Sequence, residues 1–291
     1  MSRDSTITNA PFARRRHGCR RRLFQVMLAL FLLFAAGWFL LAWRAALPGA
    51  QPAAARQGSD WWLHPSPLTE PELAGQRYLA SITYRFSTND SAGVWRVGGR
   101  QFGVYSIRYQ AAFCGYAAAT LGMRTPAYPG LTGRILEDCI RRLMERRAWE
   151  YSRDLWPDAS GMPDPVAHEN IMYSGHLLQL LVLYEAFTGD ARYRIDGFDF
   201  EWNPERRFHY TTTTLADSIV AQMRTNACGG VACEPGLVFF PCNNHPQLAL
   251  RMMEGMGQGD WSAERRKWET FALAGYRSLF GGGAIRLAYH L

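Results

Sequence analysis

Beyond Arg22 the chain carries almost no net charge. The overall balance of +7 comes from Met1 to Arg22, which holds seven arginines against one acid, Asp4, and so supplies +6 by itself. The remainder lacks the basic footprint of a nucleic-acid binder, and anionic lipid headgroups are the natural partner of the arginines. Metal-ligand patterns are also missing. His245 follows Cys242 by three residues, but no further Cys/His pair completes a tetrahedral set, so no metal is expected. Gly281-Gly282-Gly283 follows a helical stretch without the strand that would make it a phosphate cradle. Strand-like runs are scarce: Val231 to Phe240 is short, broken by proline and glycine, and reads as a loop between two helices.

What is present is a chain of 291 residues with 48% hydrophobic content, long enough to bury a substantial core without crosslinks. Leu23 to Trp43 holds no charge. At helical rise that stretch spans roughly 30 Å, the thickness of a bilayer's hydrocarbon, which predicts one membrane span. Six arginines crowd its N-terminal side and only Arg44 follows closely, so the N-terminus is expected in the cytoplasm and the main domain outside, in the periplasm if the source is bacterial. A cleaved signal peptide is the rival reading, and Arg21-Arg22-Leu23-Phe24 also fits the start of a twin-arginine export signal. The expected organisation is a basic tail over 1–22, a transmembrane helix over 23–43, a linker rich in Ala, Pro, Gly and Ser over 44–75, and a helical domain over 76–291.

In that domain apolar residues recur at helical spacing over Tyr105 to Leu121, Leu131 to Tyr151, Asn170 to Phe187, Thr214 to Arg224, Pro246 to Met256 and Ser262 to Phe280. Pro246 sits where a first helical residue would be. Phe187-Thr188-Gly189-Asp190 and Met256-Gly257-Gln258-Gly259-Asp260 each supply a glycine stop and an aspartate cap for the next segment. The class is all-α, in about three helical hairpins.

Of six cysteines Cys19 lies in the basic tail, and Cys114, Cys139, Cys228, Cys233 and Cys242 remain. Five is odd, so at least one stays free or pairs between chains. Cys114, Cys139 and Cys228 read as small hydrophobes. Cys233 and Cys242 flank an apolar loop, a spacing that suits either a short-loop disulfide or two reactive thiols. Upstream, Glu169-Asn170-Ile171-Met172-Tyr173-Ser174-Gly175-His176-Leu177 places one imidazole in a hydrophobic helix, where a core histidine is the plain alternative to a reactive one.

These islands, with Arg108-Tyr109-Gln110-Ala111-Ala112-Phe113, Tyr116, Asp164-Pro165 and Gly283 to His290, resemble the linalool dehydratase/isomerase family. The resemblance implies an (α/α)6 barrel, usually oligomeric, with a cofactor-free site for hydration, dehydration and allylic rearrangement of small hydrophobic alkenols. By position it implies catalytic Tyr109, His176, Cys233 and Cys242. Tyr84, Tyr173 and Phe113 are the candidates for contact with substrate, and aromatic faces such as those of Tyr109 and Tyr173 suit a developing allylic cation. The family's acid six residues before the tyrosine matching Tyr84 falls on Tyr78, and Asp90 is out of register, which leaves no aligned carboxylate. Family members also continue well past Leu291, so an incomplete barrel is expected, either a truncated gene product or one whose open face another chain covers. The reading from a different class is a non-catalytic α-barrel that binds a hydrophobic ligand or a glycan.

Overall fold

The computed structural model of the chain describes residues 67–87, 107–125, 129–275 and 288–290. The basic tail, the predicted membrane span, Asp90 and most of the C-terminal island lie outside these residues. Among the described residues no helix is long and apolar enough to cross a membrane. All of them belong to one unit, Gly58–Leu279 with Ala284–Leu291.

Helices dominate. In order they are α1 (Glu70–Ser87), α2 (Ile107–Gly122), α3 (Pro129–Met144), the single turns α4 (Arg146–Trp149) and α5 (Ser152–Leu155), α6 (Ile171–Thr188), the turn α7 (Arg192–Ile195), α8 (Thr212–Thr225), α9 (Phe240–Gly255) and α10 (Ser262–Gly275). Among the described residues four short strands interleave: β1 (Phe198–Asn203), β2 (Arg206–Tyr210), β3 (Leu237–Phe239) and β4 (Ala288–His290).

The long helix α6 is apolar on every side, from Ile171 through Leu177, Leu178, Leu181 and Val182, and only a central position satisfies such a sequence. It packs against α9, α3, α8 and α2. Small residues let α2 come close: a side chain at Gly115 would meet Leu180 and Leu136, and one at Gly122 would meet Thr132 and Phe187. Where α6 meets α9, a Cβ at Gly175 would lie 2.8 Å from the Pro246 ring, so this contact requires glycine. The glycine stops behave as the sequence predicts. Gly189 and Gly257 take left-handed φ values of 71° and 72°, while Asp190 and Asp260 each accept an N–H from two residues onward, at 2.9 Å.

Several sequence expectations need correction. The all-α assignment overlooks the antiparallel pair β1–β2, in which Phe198, Phe200 and Trp202 point inward while Asp199 and Glu201 face solvent. That alternation is the period of a half-buried strand. Asn203 makes the turn by accepting the N–H groups of Glu205 and Arg206 at 3.1 and 2.8 Å. Val231 to Phe240 is not purely a loop, because β3 at its end pairs with β4. Pro246 does not start its helix: α9 begins at Phe240 with Pro241 in the first turn, and Pro246 lies inside it. The assigned linker also gives way to helix before its end, since α1 starts at Glu70.

Candidate active site

The two site cysteines approach because the chain folds back between α8 and α9. A tight turn closes from Glu234 to Leu237, with Leu237 N–H donating to Glu234 O at 2.8 Å and Gly236 at φ 70°. The Cys233 N–H donates to Leu237 O at 2.7 Å. Cys242 then sits in the first turn of α9. Asn243 staples the ends of this loop: its Oδ1 accepts Val231 N–H at 2.7 Å, and its Nδ2 donates to the carbonyls of Val231 and Phe239, both at 3.0 Å. The result is a thiol–thiol contact, with Cys233 Sγ donating to Cys242 Sγ at 3.0 Å and Cys242 Sγ 3.6 Å from Met172 Sδ. Both sulfurs are buried and unbonded to one another. The Cys233 thiol is held well above its ordinary range, first because its proton bridges to Cys242 and then because burial disfavours a charge.

The N-terminus of α6 is fastened to that loop by unusual backbone. Glu169 and Asn170 are consecutive non-glycine residues at φ 52° and 61°, a left-handed geometry that costs of order 1–3 kcal/mol per residue and needs support. Asn170 Oδ1 accepts the Tyr151 hydroxyl at 2.6 Å and its Nδ2 donates to Pro165 O at 3.0 Å. Glu169 accepts Trp156 Nε1–H at 2.6 Å. The Ile171 N–H donates to Ala232 O at 3.0 Å, next to Cys233. Replacing Asn170 with alanine removes both side-chain bonds and keeps the left-handed φ, so the urea midpoint should report a loss of about 2–4 kcal/mol. Asn170→Gly relieves the backbone alone and should recover only part of that.

His176, in the second turn of α6, meets three aromatic residues of α2. The Tyr116 hydroxyl lies 2.7 Å from His176 Nδ1, and the rings of Tyr109 and Phe113 stand edge-on to the imidazole at 6.0 and 5.8 Å. His245 from α9 packs 4.0 Å from His176, ring centre to ring centre, and its Nδ1 contacts Gln179 Oε1 at 2.7 Å. Burial lowers His176 far below the ordinary imidazole range, helped by His245 and the Arg108 charge. Burial alone takes His245 down to about 4 and holds the Tyr116 phenol well up. Both imidazoles are therefore neutral, so His176 carries one ring proton, and its tautomer sets whether Nδ1 accepts from or donates to the Tyr116 oxygen.

This arrangement fixes an acid sensitivity. Unfolded histidines protonate near 6.5 while the folded ones resist, so stability is fully present above about pH 6.5 and falls as pH drops toward 4. Urea titrations should show the two histidines together removing about 4 kcal/mol between neutral pH and pH 5. His245→Gln should shrink that loss to roughly half.

The remaining expected site residues are placed differently. Tyr109, half-buried on α2, stacks with Phe113 at 6.2 Å, and burial raises its phenol against the pull of Arg108. Phe113 is 54% exposed and carries the aromatic cluster out to the surface. Tyr173 is wholly buried, and its hydroxyl is committed to Leu143 O at 2.7 Å. Tyr84 is 61% exposed on α1, a helix that packs chiefly on α3. Three participants escape the sequence reading: Tyr116, quoted there only for its place in an island; His245, weighed there only as a metal ligand; and Arg108, whose burial nothing in the sequence announces.

The described residues thus hold a neutral histidine on α6 bonded to a tyrosine of α2, and two buried thiols on a stapled loop that reaches α6 through Met172, one turn before that histidine. The sequence model of the family described as linalool dehydratase/isomerase matches residues 108–272, a span that holds every one of these groups. It covers more than half of the chain, and the chain belongs to that family.

Proposed function

We propose that the protein is a cofactor-independent lyase/isomerase that dehydrates, hydrates or rearranges a small alkenol of terpene-alcohol type. The single observation that carries this reading is the 3.0 Å contact between Cys233 and Cys242 within the family-matched segment. Loss of hydroxide from an allylic or tertiary alcohol needs an acid at the leaving oxygen and a base at a neighbouring C–H. Cys242 protonates the departing oxygen, which leaves as water, while Cys233 passes its bridging proton to Cys242. The Cys233 thiolate so formed accepts the C–H proton as the double bond forms, and both thiols are restored without an external acid. Hydration runs the same steps in reverse. His176 and Tyr109 belong to this proton inventory, while Phe113 and Tyr109 offer aromatic faces to an allylic cation, worth of order 1 kcal/mol each when desolvated.

The (α/α)6 architecture is part of the same proposal. The pairs α2–α3, α6–α8 and α9–α10 supply three consecutive hairpins of a ring, and an oligomer would cover its open side. So is the location: the arginine-flanked apolar stretch over 23–43 would hold the domain on the outer face of a membrane, beside substrates that partition from lipid. Gas chromatography of the full chain incubated with linalool, geraniol and shorter alkenols tests the activity. Conversion to dienes or to the isomeric alcohol is expected. Saturable binding without any conversion would instead establish a non-catalytic ligand-binding barrel.

A further inference from the structure

His245 is held by a partner that leaves it no choice of tautomer. Its Nδ1 lies 2.7 Å from Gln179 Oε1. An amide oxygen only accepts, so in the neutral ring Nδ1 carries the proton and Nε2 is the unprotonated nitrogen. The Tyr116 hydroxyl against His176 Nδ1 can either donate or accept, which leaves the His176 tautomer open. The two histidines are therefore fixed unequally, although their ring centres stand only 4.0 Å apart.

Three features of the surroundings decide where a proton entering this pair comes to rest. His176 is 1% exposed whereas His245 is half-buried, so a charge is better solvated on His245. The Tyr116 ring is stacked on His245, 5.4 Å away and 14° from parallel, and offers its negative face to an imidazolium there. Charging His245 also leaves the Gln179 bond as it is, since Nδ1 donates in both states and the new proton goes to Nε2. At 4.0 Å a second positive charge on the neighbouring ring is strongly disfavoured, so the pair takes one proton and not two. Facing the pair, α2 also brings the Tyr109 phenol and the Arg108 guanidinium, whose charge acts against protonation of His176, and Cys242 lies one turn before His245 on α9. Among the described residues no carboxylate pairs with either imidazole.

We propose that His245 is a positioning residue for His176: it takes up, on Nε2, the one proton that the imidazole pair can hold, and so keeps His176 neutral. The proton comes from water, no other bond is broken, and the pair gains a single positive charge. His176 thus stays able to accept or pass a proton at its own nitrogens while acid is absorbed on the ring beside it. The consequence for turnover rests on the proposed function, but the location of the proton can be read without substrate.

Long-range nitrogen–proton NMR spectra of the histidine-labelled full chain read both tautomer and charge, with His176→Asn and His245→Gln supplying the assignments. At neutral pH His245 is expected as the Nδ1–H tautomer, and an Nε2–H tautomer overturns the proposal. On acidification His245 should become the imidazolium while His176 is still neutral; the reverse order, or both rings charging together, overturns it equally. Gln179→Glu sets a carboxylate beside His245 Nδ1 and should bring its protonation to higher pH, so the order is read in this variant if the wild type unfolds before either ring titrates. Circular dichroism shows which chains are folded, and if Gln179→Glu is not, the wild-type tautomer decides alone. Removing the neighbour has a signature that a merely structural role lacks: in His245→Gln the His176 midpoint, and with it the acid limb of alkenol turnover, should move to higher pH. An unmoved His176 midpoint in folded His245→Gln refutes the coupling. The expected spectra in a protein that converts no alkenol would leave the proton assignment standing and refute only the proposed reaction.

Discussion

Cys233→Ala and Cys242→Ala should each lower alkenol turnover by at least about a thousand-fold, within the range that a positioned acid or base contributes. The size of the effect follows from the contact itself. Each sulfur is the other's proton partner at 3.0 Å, so removing either one takes away both a reacting group and the route by which the pair resets. Stability should respond far less. Truncating one buried thiol removes a single heavy atom and leaves a small void, which typically costs about 1–2 kcal/mol, and the Asn243 staple holding the loop is untouched. Cys139→Ala supplies the control, since Cys139 is as deeply buried but belongs to the core face of α3. It should show a similar stability loss with unchanged turnover. Single-turnover measurements by gas chromatography, alongside urea midpoints for all three variants, separate the two effects. Turnover near wild type in either site variant would remove the thiols from the chemistry, and a linked Cys233–Cys242 peptide in unreduced mass spectra of active enzyme would do so as firmly.

Much of this site was legible in the sequence because its residue types are scarce. Cysteines nine positions apart around an apolar loop, and a histidine within a run of leucines, are conspicuous against ordinary helical patterning. The glycine stops at Gly189 and Gly257 were legible for a conformational reason, since a left-handed helix end favours glycine. Other features were hidden by physics that periodicity does not report. β1 alternates correctly from Phe198 to Trp202, yet its six residues fall between helices and no Asn-Gly or Asp-Gly turn joins it to β2 to announce a hairpin. Pro246 looked like a helix start because proline favours the first turn. In the fold Pro241 holds that place, and Pro246 is tolerated within α9 while its ring packs on Gly175. Arg108 and Tyr116 sit at ordinary helical positions, and their importance comes entirely from what α6, α9 and the thiol loop bring against them.

The second large effect should appear in His176→Asn, with turnover reduced about a hundred-fold, the lower end of general acid–base contributions. Asparagine keeps a comparable polar volume and can accept a hydrogen bond from Tyr116, so the contact with α2 survives while the titratable nitrogen is lost. The pH profile gives the sharper signature. Burial, then His245 and Arg108, hold the folded imidazole far below its usual 6.5, so it remains a neutral base through the whole neutral range. Its protonation should therefore shape the rate only well on the acid side, and activity should stay level across the pH at which a free histidine would titrate. Tyr116→Phe approaches the same group from outside. It removes the 2.7 Å bond, leaves Nδ1 buried without a partner, and frees the imidazole to exchange tautomers, which should cost about ten-fold in rate. If His176→Asn turns over normally with an unchanged profile, the imidazole is a core histidine satisfied by Tyr116, and the two thiols must carry the proton transfer alone.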